Sequence, residues 1–139
     1  MKPEKIYDFL GHENINNFRW KDFISIIIVN YNGKNLLQLV LNSIKKSNFS
    51  NYEIIIVDNN SSDGSQEFIK KNYKNIKLVK NKKNLGYSGI NSALRYCEGE
   101  YILFLNNDME IDKDCITKLV LAIKQDKNAA MAAPKLVNF

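Results

Sequence analysis

Residues 54–65 read IIIVDNNSSDGS, and this stretch decides the fold. Ile54 to Val57 are four consecutive β-branched residues bounded by a polar run with a glycine, the pattern of a strand covered on both faces. Past its end come Asp58, Asn59, Asn60, Ser61, Ser62 and Asp63, small hydrogen-bonding side chains at the point where a strand releases the chain into a loop. Parallel α/β sheets bind ligands outside the carboxyl ends of their strands, so Asp58 is placed to accept from a ligand N–H or hydroxyl. Asp63 has a plainer role: with Gln66 three residues on, it has the spacing of a capping box for the next helix.

Working outward, Phe23 begins a second β-branched run, FISIIIV, which ends at the turn signal Asn30-Tyr31-Asn32-Gly33. Leu36, Leu37, Val40, Leu41 and Ile44 then recur at helical spacing and predict a crossover helix ending near Lys45-Lys46. After the central strand, Phe68, Ile69 and Tyr73 predict a shorter helix from about Ser65, and Ile76 to Val79 a third strand. Asn84 and Gly86 open a loop, and Ile90, Ala93, Leu94 and Cys97 make a narrow apolar stripe read as a helix packed close to the sheet. Tyr101 to Leu105 is a fourth strand closing on Asn106-Asn107-Asp108. Ile116, Leu119, Val120 and Ile123 mark a last helix, with Asp112 and Asp114 as its cap and first turn, and residues 129–137 a final extended segment. Residues 1–22 are mixed and read as an N-terminal arm or linker, leaving 23–139 as the domain.

At 139 residues, with 45% hydrophobic and 25% charged side chains, one soluble domain is the expectation. No apolar run approaches the ~20 residues of a membrane span, and the polar start has no secretory h-region, so a cytoplasmic chain is expected. The net charge of +5 is scattered over separate elements as lysine doublets, a solvated basic surface able to attract phosphates or the inner face of an anionic membrane. No basic stripe with interleaved aromatics points to nucleic acid. Cys97 and Cys115 have neither CxxC spacing nor a histidine cluster, and read as buried or half-buried thiols.

Alternating strands and helices imply an α/β, doubly wound, mostly parallel sheet of order 3-2-1-4, whose crevice opens between strands 1 and 4. Three polar strand ends meet there: Asn30-Tyr31-Asn32, Asp58-Asn59 and Asn106-Asn107-Asp108. An aromatic, a base-capable Asp and a further carboxylate suit a nucleotide. Neither GxGxxG nor GxxxxGK[ST] is present, so a dinucleotide Rossmann site and a P-loop are unsupported. An Asp at the end of strand 4 holding Mg2+ or Mn2+ against a diphosphate would neutralise the phosphates instead. A receiver-like domain would need an acidic pair after the first strand, and Asn30-Tyr31-Asn32 supplies none.

The motifs SIIIVNYNG, EIIIVDNNSSDGS, NKKNLGYSGINSAL and GEYILFLNNDMEI, in that order over roughly residues 23–137, resemble the nucleotide-sugar half of inverting family 2 glycosyltransferases with a GT-A fold, nearest a rhamnosyltransferase-like branch. The resemblance implies a donor that is a UDP-, dTDP- or GDP-linked sugar, a saccharide or lipid-linked acceptor, and a part in polysaccharide biosynthesis. It places Tyr31 and Asp58, with Asn59 at the family's second acidic position, by the nucleoside base, the loop from Asn84 to Asn91, Gly86 included, by the ribose and diphosphate, and Asn106-Asn107-Asp108 at the DxD position with Asp108 as the metal ligand; Asn30 is read with the nucleotide-binding residues. Asn106 departs from the family's first acidic position. The family's catalytic base lies in a second half of the domain, so it is expected beyond Phe139. The alternative is a non-catalytic nucleotide-sugar-binding or regulatory module.

Overall fold

Seven residues of β1 (Ile24–Asn30) lie between two other strands, which explains why so few are polar: Ile24, Ile26, Ile27 and Ile28 are all buried. The computed structural model describes residues 22–137. The expected N-terminal arm lies outside the described residues except for Asp22, which is buried and receives a hydrogen bond from Lys124 Nζ at 2.6 Å. After β1 come α1 (Lys34–Lys45), β2 (Tyr52–Asp58), α2 (Ser65–Asn72), β3 (Lys77–Lys80), two 3-10 turns (Gly86–Ser92 and Leu94–Tyr96), β4 (Tyr101–Asn106) and α3 (Cys115–Gln125). The sheet has the order β3-β2-β1-β4 and every pairing is parallel, as the alternation of elements implies.

Side chains alternate across a strand, so consecutive isoleucines enter two different cores. Ile24, Ile26, Ile28 and Ile56 pack with Leu37, Val40, Leu41 and Ile44 of α1, Ile69 of α2, and Ile116 and Val120 of α3. Ile27, Ile55 and Val57 point to the other face, where Ala93 is the buried partner and Ile90 and Cys97 pack at the margin. Each fully buried isoleucine contributes about 1.5–3 kcal/mol relative to exposure. Among the described residues, cover on this second face stops short of β4, where Ile102 and Phe104 stay 42% and 45% exposed.

Several expectations need correction. The segment read as one helix through Ile90, Ala93, Leu94 and Cys97 is two 3-10 turns, closed by i→i+3 bonds such as Ala93 N–H to Ile90 O and Tyr96 N–H to Ala93 O. Two glycines inside it disfavour an α-helix, and Gly89 must stay bare because a Cβ there would lie 2.5 Å from Asn59 Oδ1. β3 begins one residue later than Ile76. Leu36, placed on the inner face of α1, is 41% exposed, since the buried stripe runs through Leu37, Val40, Leu41 and Ile44. Asp114 stands at the N-cap of α3 but makes no cap bond; its carboxylate accepts from Asn48 Nδ2 instead. Residues 126–137 join no ladder. Both cysteines are free and half-buried, as read, and burial pushes both thiols up, away from a reactive thiolate.

Candidate functional site

β1 and β2 end in register, Asn30 beside Asp58, and β4 ends beside them with Asn106 opposite Val29. The connection from β1 goes to α1 on one face and that from β3 to the 3-10 turns on the other, so the loops part here and leave a cleft of about 330 Å³. Val29, Tyr31, Asn59, Asn84, Gly86, Tyr87, Asn106, Asn107 and Asp108 line it. Seven of the ten residues expected from the sequence are thus brought to one opening.

Two sets of side-chain bonds shape its walls. Under the first wall Asp58 is fully buried, its carboxylate accepting from Asn30 Nδ2 at 3.1 Å, Ser61 N–H at 2.9 Å and Gln66 Nε2 at 2.7 Å. Asn30, equally buried, also donates to Ser61 Oγ and accepts from Asn107 Nδ2 at 2.9 Å. In the second wall Asn59 donates to Gly86 O at 2.8 Å and to Asn84 Oδ1 at 3.3 Å, and accepts from Asn81 Nδ2 at 2.8 Å. Ser92 Oγ closes that chain on Asn81 Oδ1. Gly86 turns at φ +56°, a left-handed conformation that favours glycine, and its N–H returns to Asn84 Oδ1. Asn30 and Asp58 therefore stand behind the cleft wall, and Asn91 is exposed on the 3-10 turn without lining the cleft.

Tyr31 and Tyr87 stand 49% and 60% exposed among the lining residues, aromatic side chains with a face to offer a ring. Tyr87 falls within the loop from Asn84 to Asn91 expected at the ligand, but nothing in the sequence singles it out there from any other loop tyrosine.

The capping-box reading of Asp63 and Gln66 is also corrected. Gly64 is the N-cap of α2, and Gln66 reaches Asp58 instead of the helix start. Asp63 accepts from Ser65 N–H at 3.0 Å and from Lys34 N–H at 2.9 Å, so one carboxylate serves the first turns of α2 and α1 together. Partial burial pushes this carboxyl up, but hydrogen bonds from the Ser65 hydroxyl and the Lys34 and Ser65 N–H groups outweigh it and hold the acid below its ordinary value.

Asp108 and Asn106 are both exposed at the cleft. Among the described residues no cluster of three His, Cys, Asp or Glu forms a ready-made metal cage. The donor set instead fits a hard cation that takes one carboxylate from the protein and its other oxygens from phosphate, amide and water.

The family model for glycosyl transferase family 2 matches residues 25–138. The chain belongs to that family. The poly(ribitol-phosphate) beta-glucosyltransferase of Bacillus spizizenii is 34% identical over 102 residues, 68% of this chain and 16% of that protein. The crystal structure of Staphylococcus aureus TarS 1-349 in complex with UDP-GlcNAc superposes with a TM-score of 0.66 at 29% identity, over 73% of this chain and 31% of that one. The mannosyltransferase PcManGT of Pyrobaculum calidifontis, solved with GDP-Man and Mn2+, gives 0.69 at 21% identity, over 75% of this chain and 33% of that one. This family 2 chain therefore spans about a third or less of the length of these proteins, and its sheet is that of their GT-A fold. No helix among its described residues is long and apolar enough to cross a membrane.

Proposed function

We propose that this family 2 chain binds the nucleoside diphosphate sugar of an inverting glycosyl transfer. The observation that carries the reading is the cleft at the switch between β1 and β4, where two exposed tyrosines, an amide wall and the carboxylate of Asp108 face one opening. Tyr31 and Tyr87 offer faces for the base; Asn59, Asn84 and the Gly86 turn border the ribose; Asn106 and Asp108 stand at the diphosphate. A divalent cation held by Asp108 and the Asn106 amide would offset the charge that develops on the departing diphosphate. In the transfer, the acceptor oxygen bonds to the anomeric carbon as the bond from that carbon to the diphosphate oxygen breaks, and the hydroxyl proton passes to a base. Asp108 is the one carboxylate among the described residues that line this cleft, and an adjoining cavity that shares Asn107 and Asp108 with it also carries Glu110 and Asp112; the part this reading gives the chain is donor binding. The likeness to a structure holding UDP-GlcNAc supports a uridine donor over a guanosine one.

Calorimetric titration of UDP, dTDP and GDP in the presence and absence of Mn2+ tests the reading. UDP should bind best, and more tightly with the metal. Absence of binding by all three at millimolar concentration contradicts it.

A further inference from the structure

β4 ends at Asn106, and a turn carries Asn107 and Asp108. Asn106 is exposed at the cleft, whereas Asn107, half-buried at its edge, has its amide turned back to Asn30. We propose that Asn107 and Asn30 are positioning residues that join the metal-facing loop to the buried end of β2, while Asn106 and Asp108 are the side chains that face the ligand. The assignment of a ligand to that loop rests on the proposed function; the relay itself rests on hydrogen bonds.

The relay has a fixed direction. A carboxylate only accepts, so Asp58 requires the NH2 side of Asn30, which leaves the Asn30 oxygen pointing at β4. That oxygen in turn requires a donor, which the Asn107 NH2 supplies at 2.9 Å. Each amide is thus oriented by the one before it, starting from a carboxylate that is 0% exposed. Space around the junction is equally specific. A Cβ on Gly33 would lie 2.2 Å from Asn107 Nδ2 and 2.7 Å from Asn30 Oδ1, although its φ of −118° is open to any residue. Gly33 is therefore required for room, and the group it makes room for is this hydrogen bond.

Acidic substitutions at the two neighbouring asparagines should then have opposite effects. Asn106→Asp adds a carboxylate beside Asp108 on the cleft side and should tighten Mn2+-dependent UDP binding. Asn107→Asp sets an acceptor against the Asn30 oxygen, so the relay cannot close and the loop loses its seat. Its Mn2+-dependent UDP affinity should fall by about tenfold or more, the scale on which partners behind metal ligands act. Gly33→Ala should behave like Asn107→Asp. A reading of the triplet as three equivalent ligands expects both acidic variants to bind the metal better.

Titrating Mn2+ alone and UDP with Mn2+ into the wild type and the three variants decides between these. Side-chain amide NMR on the wild type gives a readout that needs no ligand: the Asn107 NH2 protons should exchange slowly with solvent and those of Asn106 freely. Equal exchange of the two amides overturns the relay, as does undiminished binding by Asn107→Asp. A wild type that binds no nucleotide but shows the protected Asn107 amide overturns the proposed function and leaves the relay standing.

Discussion

The body of β1 and its tip obey different physics, although one residue separates them. Ile24, Ile26, Ile27 and Ile28 are buried in apolar surroundings on the two faces, where any residue of similar size and shape serves. Asn30 is as buried as these, but it makes three side-chain hydrogen bonds, to Asp58 at the end of β2, to Ser61 in the loop that follows and to Asn107 past the end of β4. The same change occurs in β2 between Val57 and Asp58. Stability is concentrated in the non-directional part of the sheet, and the proposed site in the directional part, where a buried polar group costs free energy unless each partner is in place.

The difference can be broken most severely from the apolar side. Ile26→Ala empties a fully buried position in the larger core and should cost about 2–5 kcal/mol, read as a fall in the urea midpoint at unchanged slope. Loss much below that range would mean that the strand tolerates collapse. At the polar tip, Asp58→Asn keeps volume but turns one acceptor oxygen into a donor facing Asn30, Ser61 or Gln66. About 1–3 kcal/mol is expected, together with a weaker cleft, because both walls start from this strand end.

A smaller effect comes from the opposite end of the sheet, where Glu53 accepts from Ser25 Oγ and the Glu98 N–H and pairs with Lys77 at 2.8 Å. Burial pushes the Glu53 carboxyl up, but the bonds from Lys77, Ser25 and Glu98 outweigh it and hold the acid below its ordinary value. A lowered native value means the contribution is present in full above the ordinary glutamate value of 4.5 and is lost as pH falls through the native one. Melting temperatures of the wild type and Glu53→Gln should therefore differ at pH 7 and converge in acid. A gap that widens in acid would contradict the sign.

The same division explains what could be read from the sequence. Ile26–Val29 and Ile54–Val57 declare two-sided burial by themselves, and the order of strands follows from alternation with helices. The convergence of three polar strand ends was equally legible, because residues that end parallel strands must share an edge. Which amide turns inward was not. Asn30, Asn59, Asn106 and Asn107 are one residue type, and only the hydrogen-bond partners each finds in the fold distinguish them. The stripe through Ile90, Ala93 and Leu94 misled for a related reason: spacings of three and four residues fit a 3-10 turn nearly as well as an α-helix once glycines shorten the segment.

Asp108 is where the two kinds of physics separate most cleanly, since it is exposed, outside every core cluster and at the mouth of the cleft. Asp108→Ala should change stability by less than about 1 kcal/mol, as at other exposed positions. The direct measurement is a paired one on that variant: a thermal melt, and a UDP titration with and without Mn2+. The account predicts an unchanged melt and loss of the metal-dependent part of the affinity. A destabilised protein whose Mn2+ dependence persists would contradict it.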